Sequence, residues 1–248
     1  MTRAAVLLLF LVAAVGGSLD LPVAPPRSPF DPAPRGAPER TDGPLEEPVG
    51  DDPRDTPPPV FYGEEIAGGE GDRIVYVLDR SGSMQSYKTE RAYVDADGQP
   101  ARGNRWERAK AEAIRSIRGL AESFRFGVLT YDCGVVGWRV ELAEATEANK
   151  ADAEAWIRRQ YWATGMTGTG PATVAGLALL EQAGALVLLT DGAANCGAPG
   201  LAGHRAMIAN GNTPGAPVHV FGIEASGDFR AFCLGVAADS GGRYVDVP

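Results

Sequence analysis

Histidine is almost missing from this chain, with His204 and His219 alone. Two isolated imidazoles are poor material for a zinc centre or a proton relay, and both are expected as ordinary structural or surface residues. Cysteine is scarce too: Cys133, Cys196 and Cys233 stand far apart, with no C-x-x-C pair, so no zinc motif is present. No Ser-His-Asp order and no phosphate loop is visible. Positive charge is short, 23 Lys and Arg against 32 Asp and Glu, for a net charge of −9. That leaves no broad basic surface for nucleic acid and no polybasic run for anionic lipid. After residue 15 there is no long apolar stretch, so nothing later in the chain is expected to cross a membrane.

What is present is unevenly spread. Thirteen of the 19 prolines precede residue 72, and residues 19–72 carry a balance of −9 while residues 73–248 carry only −1. The chain opens with Arg3, an apolar run over residues 4–15, and Gly16-Gly17-Ser18. A basic start, a dozen apolar residues and small residues after them form a secretory signal peptide, assigned to residues 1–18. No clean A-x-A cleavage site follows, so an uncleaved anchor is the alternative, and membrane attachment is expected only in that case. No cysteine near the end of the run offers a lipid attachment point. Residues 19–71, rich in Pro, Asp, Glu, Arg and Gly, cannot bury enough apolar surface to offset the entropy of ordering, and read as an extended disordered linker. A globular domain is expected over residues 72–248.

That domain alternates strands and helices. Residues 74–78 form an apolar, β-branched run ending in Asp79, as in a strand buried on both faces. Asn104 stands where a helix cap is needed, and apolar residues recur at helical spacing from Trp106 to Phe124. Strands follow at 126–131 and 135–142, separated only by Asp132-Cys133-Gly134, so these two are antiparallel. Helices are expected at 148–161, from Pro171 to about 183, and at 229–239, with strands at 185–190, 218–223 and 243–247. The pattern is that of an α/β fold: a doubly wound, mostly parallel six-stranded sheet with one antiparallel edge strand and helices on both faces. Ligands of such sheets bind outside the carboxyl ends of the strands. Residues 85–103 interrupt the rhythm with an Asp97-Gly98 turn. An EF-hand reading of Asp95 and Asp97 fails, because Pro100 stands where the loop needs glycine and Trp106 where it needs glutamate.

Two apolar strands end in aspartate, Asp79 and Asp191. Ser81 and Ser83 follow the first, and Thr167 lies in a glycine-rich loop between them. If the two strands are neighbours, five oxygen-bearing side chains meet at one edge of the sheet. Carboxylates and hydroxyls without histidine or thiolate select a hard divalent cation, Mg²⁺ first and Mn²⁺ or Ca²⁺ as alternatives.

Asp79-Arg80-Ser81-Gly82-Ser83-Met84 resembles the DxSxS segment of the metal-ion-dependent adhesion site in von Willebrand factor A domains. Gly165-Met166-Thr167-Gly168-Thr169-Gly170 is similar to that family's threonine loop, Leu189-Thr190-Asp191-Gly192 to its second aspartate segment, and residues 237–244 to the approach to its final strand. The match runs from about residue 73 to the C-terminal end, and its order and spacing are more specific than any one piece. The resemblance implies that Ser81, Ser83 and Thr167 bind the ion directly and that Asp79 and Asp191 bind it largely through water. Thr169 is a rival to Thr167, because the loop reads Gly165-Met166 where Gly-Gly is common. The resemblance implies a non-enzymatic interaction module whose protein partner completes the ion's shell with an acidic residue, and the signal peptide leads to the expectation that this module is extracytoplasmic, secreted or in the envelope. A metal-dependent hydrolase, using Asp132 or Glu224 as base, and an assembly component of a secreted complex are the alternatives. A Cys196–Cys233 disulfide is expected, since adjacent parallel strands put both loops near the metal-bearing edge. The 85–103 insertion is expected beside the metal face.

Overall fold

The computed structural model describes residues 57–67, 71–161, 165–181 and 184–248. The expected signal peptide and most of the expected linker lie outside the described residues. Among the described residues no helix is long and apolar enough to cross a membrane.

The sheet is built on β3 (Arg73–Asp79). Parallel to it run β6 (Arg125–Tyr131) on one side and β9 (Ala185–Thr190) on the other, followed by β10 (Val218–Ile223) and β11 (Tyr244–Val247). With β7 (Val135–Gly137) at the far edge, the spatial order is β11-β10-β9-β3-β6-β7. Alternate residues of β3 serve two cores, as the period of a strand dictates. Ile74, Tyr76 and Leu78 pack with Trp106, Ile114 and Ile117 of α1 (Arg105–Arg118) and Ile157 of α2 (Glu147–Arg159). Val75 and Val77 pack with Leu177 of α3 (Thr169–Leu180), Ile208 of α4 (Gly200–Gly211) and Val236 of α5 (Gly227–Ser240). The result is helix, sheet, helix, the doubly wound arrangement that the alternation predicts.

Asn104 caps α1 in a full capping box with Glu107, each side chain taking the other's backbone N–H. Gly119 closes the helix, earlier than the apolar spacing suggests. Helix α4 had no counterpart among the sequence expectations. Gly200, Gly203 and Gly211 dilute its helix propensity, and only His204 and Ile208 are buried, too few to print a period.

The antiparallel edge differs from expectation. One strand over 135–142 is replaced by β7 (Val135–Gly137) and β8 (Ala143–Glu144), both antiparallel to β6, so the sheet has seven strands rather than six. Trp138 donates its N–H to the Val128 carbonyl and stacks its ring on Phe126 at 5.1 Å. Residues 139–142 then loop out before Ala143 rejoins Phe126.

A small hairpin precedes the expected domain boundary at 72. Strands β1 (Val60–Phe61) and β2 (Glu64–Glu65) are joined by Tyr62 and Gly63, both at positive φ (49° and 76°), as a tight two-residue hairpin turn requires. Phe61 is fully buried, 4.7 Å from the Phe221 ring, and Ile66 joins the same core. A short apolar patch at Val60-Phe61-Tyr62 and a lone Ile66, set between prolines and acids, carry no period, which is why this segment reads as linker in sequence.

The 85–103 insertion also departs from expectation. Its strands β4 (Arg91–Val94) and β5 (Pro100–Gly103) run down the flank of α1. Arg115 donates to the Val94 carbonyl at 2.7 Å, and Arg118 donates to the Ala96 carbonyl at 2.6 Å and to Asp97 at 2.9 Å. The hairpin tip is therefore tied to the C-terminal end of α1, a helix length away from the strand ends that carry the acids. The base of the insertion stays beside them, with Gln85 donating to the Arg80 carbonyl at 2.8 Å and Arg91 3.7 Å from Glu224.

Candidate functional site

Strand β3 has β6 on one side and β9 on the other, so the chain winds outward from it in both directions. That makes the β3/β9 pair the switch point of the sheet, where the loops leaving the strands part and open a crevice. Asp79 and Asp191 stand at that point. Leu78 is in register with Leu189, and the Thr190 hydroxyl donates to Asp79 Oδ2 at 2.7 Å.

Each carboxylate is held from its own loop. Ser81 N donates to Asp79 Oδ1 at 2.9 Å, and Ala193 N to Asp191 Oδ1 at 3.2 Å. Asp79 is fully buried and Asp191 nearly so. Burial first, and then the charge of Asp191, push the Asp79 carboxyl well above the usual carboxylate range. The two acids are thus a buried like-charged pair, an arrangement that a cation would relieve.

Ser81 and Ser83 project from the turn after β3, with a 3-10 segment at Gly82–Gln85. Their hydroxyl oxygens are 3.3 Å apart. Neighbouring ligands of an octahedral Mg²⁺ with bonds near 2.1 Å stand about 3.0 Å apart, so the two oxygens are spaced to share one ion. The threonine loop meets this turn through Gly82 N and the Gly165 carbonyl at 3.4 Å. The hydrogen bonds that fix Thr167 engage its backbone: its N–H donates to Asn195 Oδ1 at 2.8 Å, and its carbonyl accepts from Asn195 N and Cys196 N. Thr169 is placed differently. It begins α3, is fully buried, and its hydroxyl accepts from the Tyr131 phenol at 3.3 Å.

The donor set fits a hard divalent ion. Among the described residues no three His, Cys, Asp or Glu side chains gather as a metal site. The two acids are instead supplemented by hydroxyls, as the chemistry of Mg²⁺ allows.

The remaining sequence candidates fall around this centre. Asp132 turns back on its own loop, accepting from Gly134 N at 2.6 Å, and lies 3.8 Å from Arg80. Glu224 directly follows β10, at a positive φ of 52°, and accepts from Arg108 at 2.6 Å and from Arg105 at 3.1 Å. Burial pushes its carboxyl up, but the two guanidiniums outweigh this and hold it below the ordinary range.

The expected Cys196–Cys233 disulfide is replaced by Cys133–Cys196, with Cα atoms 5.6 Å apart. Cys233 faces inward from α5, buried in the core between helices and sheet, and burial pushes its thiol up to about 12. The loop after Asp191 turns the other way, over Thr167, toward the β6–β7 turn. Gly168 passes between the bridged loops: its N–H donates to the Asp132 carbonyl at 2.6 Å, and a Cβ there would lie 3.1–3.4 Å from the carbonyls of Asp132, Cys133 and Cys196. The disulfide therefore clamps the segment that carries Thr167.

Sequence reasoning also missed Arg105. Its Nη1 lies 2.8 Å from Asp191 Oδ2 and its Nε 3.2 Å from Glu224 Oε2. One signal was available: a cation in the first turn of a helix opposes the helix dipole and needs a reason to be there.

No protein-family model matches the sequence, and no curated protein matches it closely. Solved structures do match in fold. A von Willebrand factor type A protein from Catenulispora acidiphila superposes with a TM-score of 0.55 at 20% identity, over 72% of this chain and 39% of that one. An aerotolerance-related membrane protein from Bacteroides fragilis gives 0.51 at 21%, over 72% and 92%. The PilB minor pilin from Streptococcus sanguinis gives 0.52 at 15%, over 75% and 59%. At these identities the likeness is one of fold: the sheet with its helices is of the von Willebrand factor A, Rossmann-like type.

Proposed function

We propose that this chain is an extracytoplasmic, non-enzymatic module that binds a protein partner through a divalent cation held at the switch point of its sheet. The observation that carries this reading is the meeting of Asp79 and Asp191 at adjacent strand ends, with the Ser81 and Ser83 oxygens 3.3 Å apart beside them. Ser81, Ser83 and Thr167 would hold Mg²⁺ directly, and Asp79 and Asp191 through water. The ion, when bound, supplies an electrophilic position for a carboxylate oxygen from the partner.

Both oxygens of each aspartate are already engaged by protein donors, which suits acids that meet an ion through water. The apolar run at residues 4–15 and the Cys133–Cys196 disulfide support a place outside the cytoplasm. A hydrolase would need a free base near the ion. Glu224 is spent on Arg105 and Arg108, and Asp132 on its own turn, so neither favours that reading.

Calorimetric titration of the full chain with Mg²⁺ and Mn²⁺ tests the ion site. One ion per chain is expected, lost in Asp79→Ala while the circular dichroism spectrum stays unchanged. Capture of a partner from medium or cell envelope should need the ion and be released by EDTA. A wild-type chain that binds neither ion refutes the reading.

A further inference from the structure

We propose that Arg105 is a resident counter-cation of this ion site, one that holds down its affinity for the divalent ion and makes a partner's carboxylate the missing part of the site. The inference rests on the metal-binding reading above and adds to it a residue outside the motif.

Nothing local favours an arginine at position 105. It is the first residue of α1 after the Asn104 cap, where the helix dipole repels a cation. Its side chain is only 17% exposed, so it has also given up most of its water. Those costs are offset by long-range partners alone. Nη1 donates to Asp191 Oδ2 at 2.8 Å and reaches the Ser83 carbonyl at 3.5 Å. Nε and Nη2 both donate to Glu224 Oε2, at 3.2 and 3.1 Å. One guanidinium thus ties together the end of β9, the end of β10 and the turn that carries Ser83.

Among the protein's own groups the charges balance, Arg91, Arg105 and Arg108 against Asp79, Asp191 and Glu224, so a divalent ion adds its full charge as surplus. Arg108 also pairs with Glu224, at 2.6 Å, and Arg91 approaches the same carboxylate at 3.7 Å. Three arginines crowd one glutamate, and Arg105 divides its charge between Glu224 and Asp191. A divalent ion arriving between Asp79 and Asp191 therefore meets a carboxylate already shared with a cation. In a partly buried setting, one unit charge a few ångströms from a divalent ion changes its affinity by about tenfold or more. The loaded site keeps a positive surplus, which a carboxylate from outside neutralises, so ion and anion should bind as a pair.

The test is Mn²⁺ titration of the full chain by calorimetry, for wild type, Arg105→Gln and Arg105→Lys, each without and with acetate as the carboxylate probe. Arg105→Gln should bind Mn²⁺ at least about tenfold more tightly than wild type. Arg105→Lys, which keeps the charge, should stay within about threefold of wild type. Acetate should raise the Mn²⁺ affinity of wild type more than that of Arg105→Gln. A gain in affinity cannot come from structural damage, so it reads charge and not shape. Equal or weaker binding by a folded Arg105→Gln overturns the proposal. If Arg105→Gln does not fold, Glu224→Gln decides the matter: it enlarges the positive surplus and should weaken Mn²⁺ binding by about tenfold, and unchanged binding overturns the idea. If wild type and Arg105→Gln both fail to bind Mn²⁺, the ion site itself is wrong, which is a separate result.

Discussion

Helix α1 carries arginines at both ends, and the two ends do opposite things. At the N-terminal end Arg105 and Arg108 pair with Asp191 and Glu224, with side-chain exposures of 17% against 5% and 7% against 15%. At the C-terminal end Arg118 pairs with Asp97 and Glu154 at 41% against 53% and 19%. The far end obeys every local rule: cations sit in the last turn, where the dipole welcomes them, and water still screens the pairs. The near end breaks those rules, with cations in the first turn and acids taken out of water. A fold that needed only stability would not put buried charge there, because burying an ion pair seldom gains on an apolar pair of the same volume. The exposed cluster fastens a hairpin; the buried one shapes a site. The loops around the candidate site are also tied covalently, by Cys133–Cys196 between the β6–β7 turn and the loop after β9, while the hairpin tip is held by ion pairs and by arginine side chains on its carbonyls.

The largest effect should come from that covalent tie. The bridge spans a sequence separation of 63 residues, so its chain-entropy contribution is roughly 4 kcal/mol. Replacing both cysteines by serine should cost about that much in guanidinium unfolding, and should speed hydrogen exchange at Gly168 and Cys196 before the sheet responds. Exchange that rises first in the hairpin instead would reverse the comparison. Next is Arg108→Ala, which removes a nearly buried cation and leaves Glu224 partly uncompensated. A loss of about 3 kcal/mol is expected, since breaking one partner of a buried pair exposes the other to its full desolvation cost. A loss below about 1 kcal/mol would put this pair in the same class as the exposed ones.

How much of this could be read beforehand follows from what is local and what is not. Strands β3, β9 and β10 are largely apolar runs, and β3 and β9 lead straight into the aspartates of the candidate site. Asn104 followed by Glu107 announces a capping box. Helix α4 was invisible because glycines and small residues erase its period, and the β1–β2 hairpin because Phe61 and Ile66 are too few to make one. The disulfide was misassigned for a geometric reason. Strand adjacency places Cys196 and Cys233 at one edge, yet the loop carrying Cys196 folds over Thr167 and away from α5. Arg105 stood out only by its place in the first turn of α1, and its partners lay beyond reach, since Asp191 and Glu224 are 86 and 119 residues away. The proposed ligand set could be put forward from sequence because the residue types sit at fixed offsets within short segments, whereas the charge proposed to modulate it comes from tertiary packing.

The smallest expected effect belongs to the exposed end and is the sharpest check on the contrast. Arg118→Ala removes a guanidinium shared by Asp97 and Glu154, with the Ala96 carbonyl as a further partner. At this exposure the stability loss should be about 1 kcal/mol or less, and smaller still in high salt. Hydrogen bonds from Arg118, with added charge from Arg158, hold both carboxyls below their ordinary range. A depressed folded-state pKa means that the contribution is complete above the unfolded value, near 4, and fades as the pH falls through the folded value. Unfolding measured from neutral pH downward should therefore lose stability more gently below about pH 4 in Arg118→Ala than in wild type. Glu224, held low by arginines that salt reaches poorly, should keep its own share of the acid slope in both chains. An acid slope unchanged by Arg118→Ala would mean that the exposed pairs contribute nothing, and that the hairpin is held by Arg115 on the Val94 and Asp95 carbonyls instead.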